Sequence, residues 1–175
     1  ISYGDATRIV FSNGIDFDTR FLGKGLEPSL PEGLTIQYAE TETGYYIVQF
    51  NSPIHETQKD WLQVNGAMIH FYVPHYGFVI TAKDRGVIEA IRTNPAVNWV
   101  GIYQPAYKLS QTFDQVGDEH RVTILLFMDS DISSVLSEVK SITNRIAFET
   151  SDNGINKMIM GVVNKKDLNA LARIK

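Results

Sequence analysis

The chain has 175 residues, 43% of them hydrophobic and 21% charged, which is ordinary for a globular protein of one large domain or two small ones. Its formal net charge of -4 argues against nucleic-acid binding, because that function needs a basic surface. The absence of cysteine excludes disulfide bonds, thiolate nucleophiles and zinc ribbons, and no apolar run reaches the ~18 residues of a membrane-spanning helix.

Residues 1–43 are predicted to form an N-terminal strand followed by a loop. Thr7–Phe11 has the composition of a strand, and the Asn-Gly pair behind it is typical of a turn. A stretch rich in glycine and proline then favours a surface loop, and Leu34–Tyr38 is predicted to add one short strand. Because the chain begins at Ile1 rather than Met, we expect a processed N-terminus, for which a removed secretion signal is one natural cause.

Residues 44–109 show the order strand, helix, strand, strand, helix, strand, which is that of a ferredoxin-like unit. Alternating and helical hydrophobic periods, together with proline and glycine breaks, define these elements. The predicted strands are Tyr45–Phe50, Ala67–Val73, Tyr76–Thr81 and Val97–Tyr103, and the predicted helices are His55–Val64 and Asp84–Arg92.

Residues 120–175 repeat this order without its last strand. The predicted strands are Arg121–Met128, Arg145–Glu149 and Asn156–Val163, and the predicted helices are Asp131–Ile142 and Asn164–Ala172. Aligning Tyr46–Phe50 with Thr123–Phe127 indicates a tandem duplication of the pattern, joined by a polar linker at residues 110–119. The predicted fold class is therefore α+β, with two tandem ferredoxin-like (βαββαβ) units and antiparallel sheets, the second unit lacking its last strand.

The missing strand is expected to leave an open sheet edge. In a complete unit the fourth strand pairs with the first, so Arg121–Met128 should present unpaired backbone groups, with Val122, Ile124 and Leu126 as its apolar residues. Three sources could cover this edge: residues of a longer parent chain, Thr7–Phe11 folding back, or a strand from a neighbouring molecule.

No residue pattern typical of catalysis or metal binding is present. None of the four histidines has a second ligand at metal-binding spacing; they are His55, His70, His75 and His120. No Gly-x-Ser-x-Gly motif occurs, and Asp129 and Asp131 precede a predicted helix, where capping explains them. The sequence therefore predicts a non-catalytic chain without a metal or cofactor.

The end of the first unit is rich in aromatic residues and allows two interpretations. Trp99, Tyr103 and Tyr107 alternate there with apolar residues, and Pro105 and Leu109 lie among them. One interpretation is a core tryptophan with two tyrosines packed where the strand ends. The other is an extended segment, stiffened by Pro105, that docks on a partner at a reduced entropic cost.

Three motifs carry a resemblance to a known family. They read Gly-Tyr-Tyr-Ile-Val-Gln-Phe at 44–50, Tyr-Val-Pro-His-Tyr-Gly-Phe at 72–78 and Trp-Val-Gly-Ile-Tyr-Gln-Pro-Ala-Tyr-Lys-Leu at 99–109. With these motifs the chain resembles the N-terminal propeptides (inhibitor I9-like) of secreted subtilisin-like serine proteases, peptidase family S8.

The resemblance implies an extracellular, non-catalytic role as intramolecular chaperone and inhibitor of a protease domain, bound in cis or in trans. It also implies that the sheet packs on two surface helices of the enzyme. Acidic residues of the propeptide could cap such helices, and Glu149 and Asp152, which are predicted to lie at a turn, are candidates. The partner-binding candidates are Trp99, Tyr103, Pro105, Tyr107, Leu109, Glu149 and Asp152.

Two other functions are compatible with the sequence. A structural protein could self-assemble into filaments by donating Thr7–Phe11 to the open edge Arg121–Met128 of a neighbour. A ligand-binding module of ferredoxin-like type is supported by fold analogy alone.

Overall fold

The computed structural model describes residues 6–110 and 117–175, which form an α+β fold with antiparallel sheets. The chain divides into two compact units, one comprising the residues up to Tyr107 and the other Lys108–Ile174. The strands in the described part are β1 (Arg8–Val10), β2 (Asp16–Asp18), β3 (Gly44–Phe50), β4 (Ala67–Val73), β5 (Gly77–Ala82), β6 (Val97–Ile102), β7 (Glu119–Leu126), β8 (Phe148–Asp152) and β9 (Lys157–Asn164). The α-helices there are α1 (Glu56–Val64), α2 (Arg85–Thr93), α3 (Ile132–Thr143) and α4 (Leu168–Ala172). Six residues of the predicted linker, 111–116, lie outside the described residues.

The first unit contains a four-stranded antiparallel sheet in the order β4-β5-β3-β6. Alternate residues of β3 face α1 and α2, and their side chains pack with Leu62 and Ile91 in a closed apolar core. The start of α2 is fixed by Asp84, whose carboxylate accepts a hydrogen bond from the Val87 backbone N–H at 3.0 Å. The predicted strands and helices of residues 44–103 are all present, with ends displaced by at most one residue.

The other face of this sheet is covered by the chain's own lead-in segment, which we define as residues 6–43. β1 and β2 pair with each other in a two-stranded antiparallel sheet, and Ile9 of β1 is fully buried. Ile47 and Val79, which point away from the helices, are also fully buried. The central strand β3 is therefore enclosed on both faces, whereas Met68, Phe71 and Tyr72 of the edge strand β4 are exposed.

The prediction of a strand at Leu34–Tyr38 is wrong. Backbone groups in this stretch form hydrogen bonds with a side chain instead of with a neighbouring strand. The Ile36 backbone N–H donates to Oε1 of Gln104 at 2.7 Å, and Nε2 of Gln104 donates to the Ile36 carbonyl at 3.3 Å. One amide side chain thus satisfies both backbone groups of Ile36 without a sheet ladder.

The second unit contains a three-stranded antiparallel sheet in the order β7-β9-β8, with α3 and α4 packed on one face. Asp131 caps α3 as predicted, since its carboxylate accepts the Ser134 backbone N–H at 3.0 Å. The predicted strand Arg145–Glu149 is displaced: the strand starts at Phe148. Phe148 pairs with Gly161 of β9, and its ring lies over this glycine, where a Cβ atom would come within 2.3 Å of the ring.

Counting back from the helix N-caps gives a correspondence between β3 and β7 that differs by one residue from the predicted alignment. Tyr46 lies nine residues before the N-cap His55, and Val122 lies nine residues before the N-cap Asp131. Both face their helices, whereas Thr123, which was aligned with Tyr46, is exposed on the opposite face. A shift of one residue in a strand exchanges the two faces of the sheet, so this correction decides which residues of β7 are accessible.

Candidate functional site

Trp99 lies inside the first unit and is fully buried. Its indole N–H donates to the Leu26 carbonyl at 3.0 Å, and its ring meets Phe17 edge to face with the ring centroids 5.4 Å apart. Gly101 allows this placement, because a Cβ atom there would stand 2.2 Å from the indole. The structure therefore uses Trp99 to attach the lead-in segment to the outer face of the first sheet.

Tyr103, Pro105 and Tyr107 are buried as well. Of the two interpretations of this segment, the extended conformation is not the one observed: Pro105–Lys108 is a 3-10 helix, whose first position suits proline because its fixed φ is compatible with a helical turn. Tyr107 stacks on Phe11 with the ring centroids 4.3 Å apart, and burial raises the pKa of Tyr103 to about 12. These side chains belong to the interior of the first unit.

A buried polar network also joins the lead-in segment to the sheet. The Thr19 hydroxyl donates to Oε1 of Gln49 at 2.7 Å, and Nδ2 of Asn98 donates to the same oxygen at 2.8 Å. Gln49 is fully buried on the face away from the helices. Because each polar group has a partner, the network avoids the cost of buried, unsatisfied groups and fixes the lead-in segment in one position.

Glu27 of the lead-in segment binds the outer edge of β6. Its Oε1 accepts the Ile102 backbone N–H at 2.6 Å, a group that no strand in the described part of the chain pairs with. Its other oxygen, Oε2, is buried and has no hydrogen-bond partner among the described residues. Burial raises the pKa of this carboxyl, while the Ile102 N–H, the side chain of Gln104 and the charge of Arg92 act in the opposite direction.

The outer face of the second sheet, turned away from α3 and α4, is accessible. We define this outer face by Arg121, Thr123, Leu125, Glu149, Met158, Met160 and Val162. Leu125 is 71% exposed, whereas Gln49, its equivalent in the first unit, is fully buried. The three β9 residues are half-buried, and Thr123 and Arg121 are exposed. Equivalent faces of the two units therefore differ, one being covered and the other open.

A groove of ≈ 580 Å³ lies over this outer face. It is lined by the outer-face residues Arg121, Thr123, Glu149, Met160 and Val162, and by Ile146 from the loop after α3. Ile146 is 84% exposed, and the neighbouring Arg145 forms an ion pair with Glu119. The groove thus combines exposed apolar surface with one acidic side chain, Glu149, and two basic ones, Arg121 and Arg145.

The two acidic candidates occupy different places. Glu149 lies in β8 rather than at a turn; it is exposed on the outer face and pairs with Met160 of β9. Asp152, also exposed, ends β8 on the helix-facing side, and its carboxylate accepts the Gly154 backbone N–H at 3.0 Å within the turn. Only Glu149 is therefore positioned to meet a partner on the outer face.

β7 is an edge strand. It pairs with β9, and within the described residues no other strand pairs with it. Val122 is buried, and Ile124 and Leu126 are half-buried and face α3 and α4. Leu109 also belongs to this unit, where it packs against Val122. In the predicted strand Thr7–Phe11, residues Arg8–Val10 pair with β2.

Residues 6–110 and 117–175 contain no group of three or more histidine or acidic side chains that could hold a metal ion. None of their helices combines the length and apolar character needed to cross a membrane.

The fold and its surfaces define an α+β protein built from two sheet-and-helix units with differently covered sheets. Residues 13–104 match a family model described as Domain of unknown function (DUF8729), and because this match spans more than half of the chain, the chain belongs to that family. Neither the curated proteins nor the solved structures contain a match. The matched residues include most of the lead-in segment together with the first sheet, in agreement with their shared interior.

Proposed function

We propose that the chain is a non-catalytic propeptide of the subtilisin-like type, which assists the folding of a subtilisin-like serine protease domain and inhibits it. The proposal includes two tandem ferredoxin-like units. The sheet order β4-β5-β3-β6 supports this, because the first strand of the unit, β3, lies between the third, β5, and the fourth, β6. The order β7-β9-β8 is the same without a fourth strand. The extracellular location belongs to the proposal through the sequence resemblance alone.

The observation that carries the proposal is the open outer face of the second sheet. A sheet needs cover on each apolar face, and helices of a partner are one way to provide it. Leu125 and Met160 supply apolar area on this face, and Glu149 stands beside them as an acidic group suited to a helix N-terminus. In the first sheet β3, the counterpart of β7, is buried along its whole length, which favours the second unit as the docking site.

The dimensions of this face match packed helices. β7 has eight residues, which at ~3.3 Å per residue gives a face about 26 Å long, enough for a helix of about 17 residues. Three strands spaced ~4.8 Å apart give a width of about 14 Å, and one helix is about 10 Å across. A single helix fits on three strands, whereas two helices side by side need the ~19 Å that four strands provide.

Inhibition of subtilisin-like proteases tests the proposal. The purified chain is titrated against a panel of bacterial and archaeal enzymes of this class, with hydrolysis of a chromogenic peptide as the readout. We expect inhibition of at least one enzyme at submicromolar chain, and a higher yield when that enzyme is refolded in the presence of the chain. Unchanged rates throughout the panel at micromolar excess would contradict the proposal.

Variants of the outer face locate the docking site. Leu125→Asp and Met160→Asp should weaken inhibition at least tenfold, because each places a charge where apolar area is buried on binding. Ile155→Asp is the matched control, since Ile155 is 77% exposed in the turn between β8 and β9 and lies off the outer face. An equal effect of all three substitutions would show that this face is not the docking site.

Self-assembly through donation of Thr7–Phe11 is less well supported. The open edge of β7 provides an acceptor, but the donor strand is occupied, because Arg8–Val10 pairs with β2 and Ile9 is fully buried. Donation would require that interior to open.

A further inference from the structure

The first unit shows what kind of neighbour β7 lacks. β3 pairs with β5 on one side and with β6 on the other, both antiparallel. Its equivalent, β7, has only β9 as a pairing partner among the described residues. The strand that occupies the β6 position in the first unit therefore has no counterpart in the described part of the second.

Backbone hydrogen bonds of the first unit identify the residues of β7 that face the open edge. The Tyr103 N–H donates to the Tyr45 carbonyl at 2.9 Å, which directs the odd-numbered residues of β3 towards β6. The Phe50 N–H donates to the Tyr76 carbonyl at 2.9 Å, on the side of β5. Backbone groups alternate between the two sides of an antiparallel strand. The β7 residues equivalent to Tyr45, Ile47 and Gln49 therefore direct their N–H and carbonyl groups to the open edge. These residues are Arg121, Thr123 and Leu125.

The apolar core beside this edge is also incompletely covered. Ile124 and Leu126 are half-buried, whereas their equivalents Val48 and Phe50, which β6 flanks, are fully buried. An added strand would therefore satisfy edge hydrogen bonds and shield two apolar side chains at once. Strand addition of this kind obtains affinity from the backbone ladder and specificity from alternate side chains.

We propose that the open edge of β7 binds an extended strand of a partner polypeptide, antiparallel and in the register that β6 takes on β3. In that register, apolar partner residues stand opposite Val122 and Ile124, as Ile102 and Val100 stand opposite Tyr46 and Val48. A fourth strand would widen the outer face from about 14 Å to about 19 Å. The inference follows from the internal repeat and does not depend on the proposed protease partner.

A peptide that copies β6 is the probe. It has the sequence of residues 96–104, Ala-Val-Asn-Trp-Val-Gly-Ile-Tyr-Gln, with an N-terminal fluorescein, and its anisotropy is followed as full-length chain is added. We expect saturable binding. N-methylation at the amides of Trp99 and Gly101, which face β3 in the first unit, should weaken binding at least tenfold, while N-methylation at those of Val100 and Ile102 should leave it within threefold.

Two proline variants of the chain provide an independent comparison. Thr123→Pro removes an N–H from the open edge while sparing the ladder to β9, and should abolish peptide binding. Thr150→Pro is the control. Because backbone groups alternate along β8 as well, the Thr150 N–H points to the free edge of β8, on the opposite side of the sheet from β7, and this substitution should leave peptide binding unchanged. Far-UV circular dichroism shows whether each variant is folded; if Thr123→Pro is not, the methylated peptides decide.

Three results would overturn the proposal. They are the absence of peptide binding to the folded chain, equal binding of the two methylated peptides, and equal loss of binding in both proline variants. A chain dimer that excludes the peptide would overturn it too, by showing that a second copy occupies the edge. Because none of these measurements involves a protease, failure of the proposed inhibition leaves this inference to be judged separately.

Discussion

Replacing Trp99 distinguishes a buried structural residue from a docking residue. A tryptophan side chain buries roughly 200 Å² of apolar surface, and ~25 cal/mol per Å² gives about 5 kcal/mol as an upper limit for its removal. Because Trp99 is fully buried and also donates a hydrogen bond to Leu26, we expect Trp99→Ala to lower the free energy of unfolding of the first unit by about 4 kcal/mol. Trp99→Phe keeps an aromatic ring against Phe17 and should cost about 2 kcal/mol, partly through the unpaired Leu26 carbonyl.

Tryptophan fluorescence during urea unfolding measures this effect in the correct unit. The chain has two tryptophans, Trp61 and Trp99, and both lie in the first unit, so their emission does not follow the second unit. In the Trp99 variants Trp61 continues to report. Val64→Ala is the matched control, because Val64 is 86% exposed and its truncation should change the free energy of unfolding by less than about 0.5 kcal/mol.

If Trp99→Ala lowered the free energy of unfolding by less than about 1 kcal/mol, and the slope of that free energy against urea concentration were unchanged, the placement of Trp99 in the interior would be refuted. Such a result would mean that the indole contributes little to the first unit and would restore its interpretation as a surface for a partner. A loss of about 4 kcal/mol is a large fraction of the 5–15 kcal/mol that typically stabilises a domain, so the two outcomes are well separated.

Two further substitutions test the lead-in segment and the second sheet. Burial raises the pKa of Glu27, so its protonated form is favoured in the folded state, and the first unit should lose stability as the pH rises through that raised pKa. Glu27→Gln should reduce the difference in urea midpoint between pH 4 and pH 8; an unchanged difference would exclude Glu27 as its source. Gly161→Ala should destabilise the second unit by about 1–3 kcal/mol, because its Cβ would come within 2.3 Å of the Phe148 ring. When Phe148→Leu is combined with Gly161→Ala, thermal unfolding followed by circular dichroism should show a partial recovery of stability. If the destabilisations caused by the two substitutions simply add, the overlap with the Phe148 ring is not the cause.

The elements of both units could be predicted from sequence because their signals are local. Asp84 and Asp131 were expected near helix starts, and each caps a helix through its carboxylate. The apolar run of β3 predicted a buried strand, and all seven of its residues are buried. Such patterns need only the neighbours in the chain, which is why they could be read without the fold.

The cover of the first sheet could not be predicted in this way because it depends on distant pairs. Thr19 meets Gln49 across 30 positions, and Glu27 meets Ile102 across 75. Turn-rich composition indicated a surface loop for this part of the lead-in segment, and Phe21 and Leu26 are exposed there, but Thr19 is buried. The same limitation affected Trp99, for which composition left a core and a docking interpretation equally open.

The accessible face of the second sheet was missed for a different reason, although the sequence contained a signal for it. β9 is apolar at consecutive positions from Met158 to Val163, interrupted only by Gly161, and such a run indicates a strand with cover on both faces. In β3 the same pattern is satisfied by helices on one side and the lead-in segment on the other. In β9 the helices cover one face, while Met158, Met160 and Val162 remain half-buried on the other. This asymmetry between β3 and β9 is the strongest argument for the docking site proposed on the second unit.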